Sequence, residues 1–163
     1  MSISSYAAAP EAKLAEIIRL AEMRLASQLS LGTAADQRAM TMASILAAID
    51  AALIGLVALT HGSDAPASLI ILIIGFGIGV GLAAWSALPI AWDVPGNEPR
   101  QWLEDIEEED SLHNGFAAMA FYYNEMIEAN DRRLRGNANL LRGAFLAVVL
   151  TLIISVVSAL LGF

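Results

Sequence analysis

The chain has 163 residues, no cysteine, 57% hydrophobic residues, 16% charged residues and a formal net charge of −8 at pH 7. Soluble domains average about 45–50% apolar residues with glycine included and about 25% charged residues, so this composition excludes intrinsic disorder and disfavours an ordinary soluble globule. The lack of cysteine excludes a disulfide framework, a cysteine-ligated zinc site and a thiol nucleophile, and the acidic balance disfavours nucleic-acid binding.

The first predicted element is an amphipathic helix. Pro10 suits a first helical position, and apolar residues recur at helical spacing from Leu14 to Leu29. Because no proline follows before the next segment, we expect residues 1–38 to form an amphipathic helix that continues unbroken into that segment.

Three segments are almost free of charge. Residues 39–60 contain one ionisable group, Asp50, whereas residues 68–92 and 143–163 contain none. A bilayer core of about 30 Å needs about 20 apolar residues of α-helix, and each segment meets that length. We therefore predict that residues 39–92 form a transmembrane hairpin of helices 39–60 and 68–92, and that residues 143–163 form a third transmembrane helix. The alternative is a set of buried helices in a soluble protein.

The basic residues predict an orientation. All nine lie in two places, before the first span and between the second and third spans, and the 61–67 loop has none. The positive-inside rule then places the N-terminus and residues 93–142 in the cytoplasm, and the 61–67 loop and the C-terminus on the opposite side of the membrane. The four before the first span are Lys13, Arg19, Arg24 and Arg38, and the other five are Arg100, Arg132, Arg133, Arg135 and Arg142.

Residues 93–142 combine a cytoplasmic acidic loop and a second helix. The loop begins with turn-forming residues, and six of the seven residues at 104–110 are acidic. This acidic run is interpreted either as a solvated turn or as an electrostatic element that contacts a basic partner or repels anionic headgroups. Trp102 beside it is suited to anchor at the membrane interface. Asp110 or Ser111 is a suitable cap for the helix that follows.

The two helices that lead into spans have nearly equal lengths. Residues 10–38 make 29 residues and residues 111–142 make 32. Because both enter the membrane from the cytoplasm, we expect them to pack side by side over about 45 Å. The predicted fold class is an all-α integral membrane helical bundle, with three transmembrane helices and two long helices that extend as a parallel cytoplasmic stalk.

Asp50 is predicted to lie near mid-bilayer, 12 residues and about 18 Å beyond Arg38. An ionisable group at that depth is costly and points to a function. The other spans offer small, polar or aromatic residues at the same predicted depth: Gly81, Trp85, Ser86, Thr151 and Ser155. Two interpretations stay open, a pore-lining or inter-subunit polar ring and a hydrogen bond that holds the helices together.

Four glycines alternate along the second span: Gly75, Gly77, Gly79 and Gly81. They form two overlapping small-xxx-small pairs, which let helix backbones approach closely in lipid. The close approach is expected either within one chain or between subunits. Pro89, in the same span, is expected to kink the helix near Leu88.

Charged side chains form a candidate group at the cytoplasmic mouth of the membrane. Its three members share one predicted depth: Asp36, Arg38 and Arg142. In a parallel helix pair, Asp36 or Asp131 is placed to meet an arginine. The alternative is snorkelling arginines with ordinary ion pairs.

A second group of arginine and amide side chains is a candidate ligand site. Its members lie within a few helical turns: Asn130, Arg132, Arg133, Arg135 and Asn137. They are suited to cradle an anionic ligand such as a nucleotide, whose base would stack on Tyr122 or Tyr123. The two asparagines lie one heptad apart and are equally suited to set the register of a helix pair.

No catalytic or metal-binding set is recognisable in the sequence. The two histidines, His61 and His113, are predicted on opposite sides of the membrane. The sequence has no phosphate-binding glycine loop after a strand, no nucleophile elbow and no calcium loop. We therefore expect no enzymatic activity, no metal and no cofactor.

Two stretches resemble a known group of proteins. Residues 31–39, LGTAADQRA, open the first span, and residues 123–130 and 137–141 precede the last one. With the layout of a helix, a two-span hairpin, a cytoplasmic insert and a final helix, they resemble the Pycsar effector transmembrane domain family and, more distantly, the SLATT group. These are small bacterial membrane effectors of anti-phage signalling. Asp36 and Arg38 match the family's string, and the acidic run has no counterpart.

The resemblance implies that the protein senses a cyclic pyrimidine nucleotide in the cytoplasm and then assembles or opens to impair the inner membrane. The leading hypothesis is an oligomeric, non-enzymatic effector or channel-like assembly whose helix packing shifts on ligand binding. Its expected partners are the lipid bilayer, further copies of the chain, and a cyclic nucleotide or a protein at the stalk, but no nucleic acid. The alternatives are a structural or accessory subunit of a larger membrane complex and an ion-handling component built around Asp50.

Overall fold

The computed structural model describes residues 3–59, 65–96, 103, 107 and 111–161. Within that part of the chain every regular element is an α-helix, in the order α1 (Ile3–Ala7), α2 (Glu11–Leu59), α3 (Ala67–Ser86) and α4 (Leu112–Leu160). The predicted all-α class is confirmed. Helices α2, α3 and α4 are long and apolar enough to cross a membrane. His61, Trp102, Phe163 and the acidic run apart from Glu107 lie outside the described residues.

Helices α2 and α4 are each continuous over 49 residues. The Pro10 carbonyl accepts the Leu14 N–H at 3.0 Å at the start of α2, and Ser111 Oγ accepts the Asn114 N–H at 3.2 Å at the start of α4. No proline occurs inside either helix. The expectation that the amphipathic segment and the first apolar segment form one helix is therefore confirmed. Before α2, the short helix α1 was not predicted, and it buries Tyr6.

Helix α3 is shorter than predicted. It ends at Ser86, so the expected span 68–92 is wrong at its C-terminal end, and the chain stops being helical there instead of kinking near Leu88. Pro89 is the reason, because it lacks an N–H and its ring disfavours helical geometry at the preceding residue. The Leu88 N–H bonds the Trp85 carbonyl at 3.2 Å in a closing turn.

The chain divides into two compact units. Unit 1 comprises Met1–Gly32 and Ile90–Leu134, and unit 2 comprises Thr33–Pro89 and Arg135–Phe163. Helices α2 and α4 therefore contribute residues to both units. The buried core of unit 1 is formed by apolar side chains from α1, α2 and α4: Tyr6, Leu14, Ile18, Leu25, Ala117, Ala120 and Tyr123.

Contacts in unit 1 advance in the same direction along α2 and α4. Glu22 contacts Tyr123, and Gln28 contacts Ile127 and Asp131. The two segments therefore run parallel within this unit. Near the start of both, His113 Nε2 bonds the Ala7 carbonyl at 2.9 Å.

Unit 2 buries several small residues, such as Ala39, Ala83 and Ala144, beside larger ones such as Phe76. Helix α3 runs antiparallel to α4, since Ser68 contacts Ser155 and Ser86 contacts Asn137. In the most apolar 18-residue stretch of each helix, only 6% of residues in α2, 22% in α3 and 11% in α4 are buried inside the chain. Most of the apolar surface of unit 2 therefore faces outward.

Candidate functional site

Asn130 in α4 fixes the segment that follows α3. Its side chain is fully buried, and it bonds both backbone groups of Asp93: Nδ2 donates to the carbonyl at 2.8 Å, and Oδ1 accepts the N–H at 3.2 Å. Arg133, three residues further on the same side of the helix, donates to Asn130 Oδ1 at 2.8 Å and to Asp93 Oδ2 at 2.7 Å. Residues 90–96, which we call the strap, are thereby attached to α4.

Tyr123 provides a second attachment for the strap. Its phenol oxygen accepts the Gly96 N–H at 3.0 Å and donates to Glu22 Oε1 in α2 at 3.2 Å. Gly96 has φ of 98°, a left-handed conformation that favours glycine. The Trp92 ring lies so close to Gly32 that a Cβ there would be 2.6 Å from Cζ2. The strap is therefore attached to both long helices of unit 1.

A third contact in unit 1 joins α2 and α4 directly. Gln28 is buried, and its Nε2 donates to the Ile127 carbonyl at 3.0 Å and to Asp131 Oδ1 at 2.7 Å. Arg24 lies 3.4 Å from the same carboxylate oxygen. Asp131 thus meets an arginine, as the sequence suggested for it or Asp36.

These bonds bear on the predicted ligand site. Asn130, Arg133 and Tyr123 are occupied by the strap and by α2, so the Tyr123 ring, which is fully buried, stacks a base only if it moves. The bonds show that Asn130 holds the strap, which is neither the ligand-binding role nor the register-setting role predicted for it. Arg135 is exposed and Asn137 is buried, and both belong to unit 2. The assignment of these residues to a ligand stays a prediction.

The exposed Arg132 lies in a shallow groove of about 450 Å³ in unit 1. Three carboxylates border the same groove, from Asp93, Glu125 and Glu128, next to the Tyr122 ring. An anionic ligand would meet net negative charge at this point, since three carboxylates border the groove against two guanidinium groups, those of Arg132 and of Arg133, which is paired with Asp93. This groove suits a cationic or neutral group better than a phosphate.

Burial of the phenol raises the pKa of Tyr123 above its ordinary value. Because its folded-state pKa exceeds the unfolded value, the stability that this shift contributes is complete below about pH 10 and is lost as pH rises through the folded pKa. We expect Tyr123→Phe to lower the free energy of unfolding by about 1–2 kcal/mol at pH 7, through the two lost hydrogen bonds. The deficit relative to the wild type should narrow above about pH 10.

Denaturant titration in mixed detergent micelles at several pH values measures this difference. Tyr122→Phe is the matched control, because the Tyr122 side chain is exposed. An equal loss in both variants, or a deficit that does not change with pH, would contradict the assigned role of Tyr123.

Asp50 lies in unit 2, opposite Gly77. Its Oδ2 is 3.7 Å from the position that a Cβ on Gly77 would take, and its Oδ1 is buried without a hydrogen-bond partner among the described residues. Thr151 and Ser155 donate instead to backbone carbonyls, those of Ala147 at 2.7 Å and Ser68 at 2.9 Å. The described contacts therefore do not join these hydroxyls to Asp50 in one polar ring.

Ser86 does not share the level of Asp50. It is nine residues from Gly77, about 14 Å along α3, and its hydroxyl donates to the Asn137 carbonyl at 3.0 Å. Ser86 and its neighbour Trp85 lie nine and eight residues along α3 from Gly77, the residue level with Asp50, and not at that level as expected. Ser86 instead ties the end of α3 to α4.

The structure divides the four glycines of α3 into two pairs. Gly75 and Gly79 are buried: a Cβ on Gly75 would overlap Thr151, and one on Gly79 would lie 2.8 Å from Val148 Cγ2 and 3.2 Å from Leu46 Cδ1. Gly77 and Gly81 are exposed. One pair therefore serves packing inside the chain, and the other faces outward.

Asp36, Arg38 and Arg142 all belong to unit 2. Asp36 Oδ1 is buried and has no hydrogen-bond partner among the described residues. Both arginines are exposed. The ion pairs in the described part of the chain use other arginines, Arg19, Arg24 and Arg133. Of the two carboxylates expected to meet an arginine, Asp131 does so with Arg24, and Asp36 has no such partner among the described residues.

Within the described ranges, no group of three or more histidine, aspartate or glutamate side chains is placed to hold a metal ion. No family model matches the chain, and neither does a curated protein or a solved structure. The hydrogen bonds of the strap were missed from the sequence, since they join residues 27 to 40 positions apart. The available signal was the i, i+3 spacing of Asn130 and Arg133, which puts both side chains on one side of α4.

Proposed function

We propose that the protein is a non-enzymatic, oligomeric multi-pass protein of the bacterial inner membrane that responds to a cytoplasmic signal and alters membrane integrity, as an effector or channel-like assembly. The observation that carries the membrane assignment is the outward apolar surface of unit 2. Ile54 is 50% exposed, Ile74 59% and Leu150 56%. Lipid or other apolar helices must cover such a surface, because monomeric soluble proteins rarely expose large contiguous apolar patches.

The two units also differ in the polarity of their side chains, which supports different locations for them. Unit 1 has buried amides that bond across its helices, as Gln28 does to the partly exposed Asp131, and its described charged side chains are partly or fully exposed. Among the described residues of unit 2, the exposed charged side chains are three arginines, Arg38, Arg135 and Arg142, and its apolar segments expose none. The proposal places unit 1 in the cytoplasm and α3 with the C-terminal halves of α2 and α4 in the bilayer, in line with the distribution of lysine and arginine.

The proposed response uses the continuity of the long helices. Because α2 and α4 contribute to both units, a ligand that favours one packing of these helices in unit 1 also acts on their membrane segments. The strap is the natural element to respond, since a few side-chain hydrogen bonds attach it. Release or tightening of the strap changes how α2 and α4 pack.

Self-association is supported by the outward glycines. Gly81 leaves α3 open, because nothing lies within 4 Å of an added Cβ, and another helix can approach closely there, beside the exposed Ile74 and Ile78. Gly77 is exposed too, with Asp50 Oδ2 3.7 Å from an added Cβ. The proposal assigns this part of α3 to contacts between copies.

The test is a leakage assay with the full chain reconstituted in dye-loaded liposomes of bacterial phospholipid. On addition of cyclic CMP or cyclic UMP, we expect dye release that rises steeply with protein density. Gly81→Leu should reduce the release at least tenfold while the helical content is kept. Gly55→Leu is the matched control, because Gly55 is also exposed, with nothing within 4 Å of an added Cβ.

Two results would contradict the proposal. Inserted protein that releases no dye at any density with either nucleotide is not an effector of this kind. Stable co-purification of a larger membrane complex in mild detergent, with no homo-oligomer, would favour the accessory-subunit alternative.

A further inference from the structure

Two grooves of about 620 Å³ each lie in unit 2 on either side of Met42. The first runs along α2 from Arg38 past Thr41 to Ile45 and Leu46. The second lies between α2 and α4 and is lined by Met42 together with residues from α4: Ala138, Leu141, Arg142, Phe145 and Leu146. Each groove therefore combines one guanidinium with an apolar wall.

Both guanidinium groups are free to take an anion. Arg38 and Arg142 are exposed, and the ion pairs formed within the described residues do not include them. Asp36 is two positions from Arg38, and residues at i, i+2 do not face each other on a helix. The charge at these grooves is thus positive, in a chain whose formal net charge is −8.

The order of groups along each groove is also informative. In both helices most of the large apolar side chains of the groove follow the arginine along the chain. Met42, Ile45 and Leu46 come one to two turns after Arg38. Phe145 and Leu146 come one turn after Arg142, whereas Leu141 precedes it. In the proposed topology this direction leads from the cytoplasmic surface toward the bilayer centre. A phospholipid has the same order, with phosphate at the surface and acyl chains inside.

We propose that these grooves bind an anionic phospholipid of the cytoplasmic leaflet, with the phosphate on Arg142 and Arg38 and the acyl chains on either side of Met42. Guanidinium groups bind phosphate oxygens through two parallel hydrogen bonds, and basic pockets between membrane helices bind anionic headgroups. This inference rests on the proposed membrane insertion. The acidic groove around Arg132 in unit 1 has the opposite charge balance and serves as an internal comparison.

The experiment measures lipid binding to the purified full chain in detergent, by native mass spectrometry and by the thermal midpoint. The probes are phosphatidylglycerol, phosphatidylcholine with the same acyl chains, and soluble glycerol phosphate. We expect phosphatidylglycerol to bind about tenfold more tightly than phosphatidylcholine and to raise the midpoint, and glycerol phosphate to have little effect. Arg38→Gln with Arg142→Gln should abolish this preference.

Controls separate a lipid site from general effects of charge and folding. Arg132→Gln, which also removes an exposed arginine, should keep the preference, and Arg142→Lys should keep part of it because the cation remains. Equal binding of the two lipids, an unchanged preference in the double variant, or an equal effect of glycerol phosphate would overturn the inference.

Membrane insertion is tested separately by washing membranes at alkaline pH. Chain that washes off would overturn both the proposed function and this lipid site. Chain that stays in the membrane but does not discriminate between the two lipids would overturn the lipid site alone.

Discussion

Gly75→Ala should destabilise the protein by about 2–3 kcal/mol, whereas Gly81→Ala should leave its stability unchanged or raise it slightly. A Cβ on Gly75 would overlap the side chain of Thr151, with the Thr151 Cβ at 2.5 Å, closer than the 3.0 Å that real Cβ atoms keep. Thr151 has little freedom to move, because it is β-branched and its hydroxyl bonds the Ala147 carbonyl. Helices α3 and α4 must therefore separate, and such overpacking typically costs about 1–3 kcal/mol.

Gly81 is a matched control within the same helix. Nothing lies within 4 Å of an added Cβ at this position. Alanine there should gain the usual helix preference over glycine, about 0.5–1 kcal/mol. Unfolding by sodium dodecyl sulfate in mixed micelles, followed by circular dichroism, gives both values. If the two variants change stability equally, the assignment of Gly75 to interhelical packing is wrong.

Asn130→Ala should lower the free energy of unfolding by about 3–4 kcal/mol and release the strap. The substitution leaves the N–H and the carbonyl of Asp93 without their partner, and it removes one acceptor of Arg133. Each buried polar group that loses its hydrogen bond costs about 1–3 kcal/mol. The loss should exceed that of any substitution at an exposed amide of α4.

Hydrogen exchange measures the local effect. We expect the amides of Asp93 and Gly96 to exchange much faster in Asn130→Ala, while those of α3 near Gly75 keep their protection. Asn139→Ala is the control, because Asn139 is exposed on the same helix. Unchanged exchange in the strap would show that Asn130 does not hold it.

Much of the fold could be predicted because its causes are local. Helices α2 and α4 follow from long stretches without proline and from caps at Pro10 and Ser111. The end of α3 shows that hydropathy alone does not predict where a helix stops. Residues 87–92 are all apolar, so composition extends the span to residue 92, whereas the backbone chemistry of Pro89 stops the helix.

The candidate sites depend on tertiary contacts that spacing alone does not determine. Two overlapping glycine pairs in one helix look alike in the sequence, and only the partner helix selects Gly75 and Gly79. Asn130 and Asn137 suggested a heptad register, yet the structure pairs Asn130 with a backbone 37 residues away. A contact between a side chain and a distant main-chain group produces no periodic pattern in the residues between Asp93 and Asn130.

The bonds from Asn130 to position 93 end on main-chain atoms, which every residue except proline supplies. This attachment therefore requires the side-chain amide of Asn130, but it does not depend on which side chain stands at position 93. Any residue other than proline at position 93 should keep the two hydrogen bonds to Asn130. Such a substitution should lose only the ion pair between Asp93 and Arg133. In related chains we expect asparagine to be kept at position 130 while the residue at position 93 varies. Covariation between the two positions would therefore not reveal this contact.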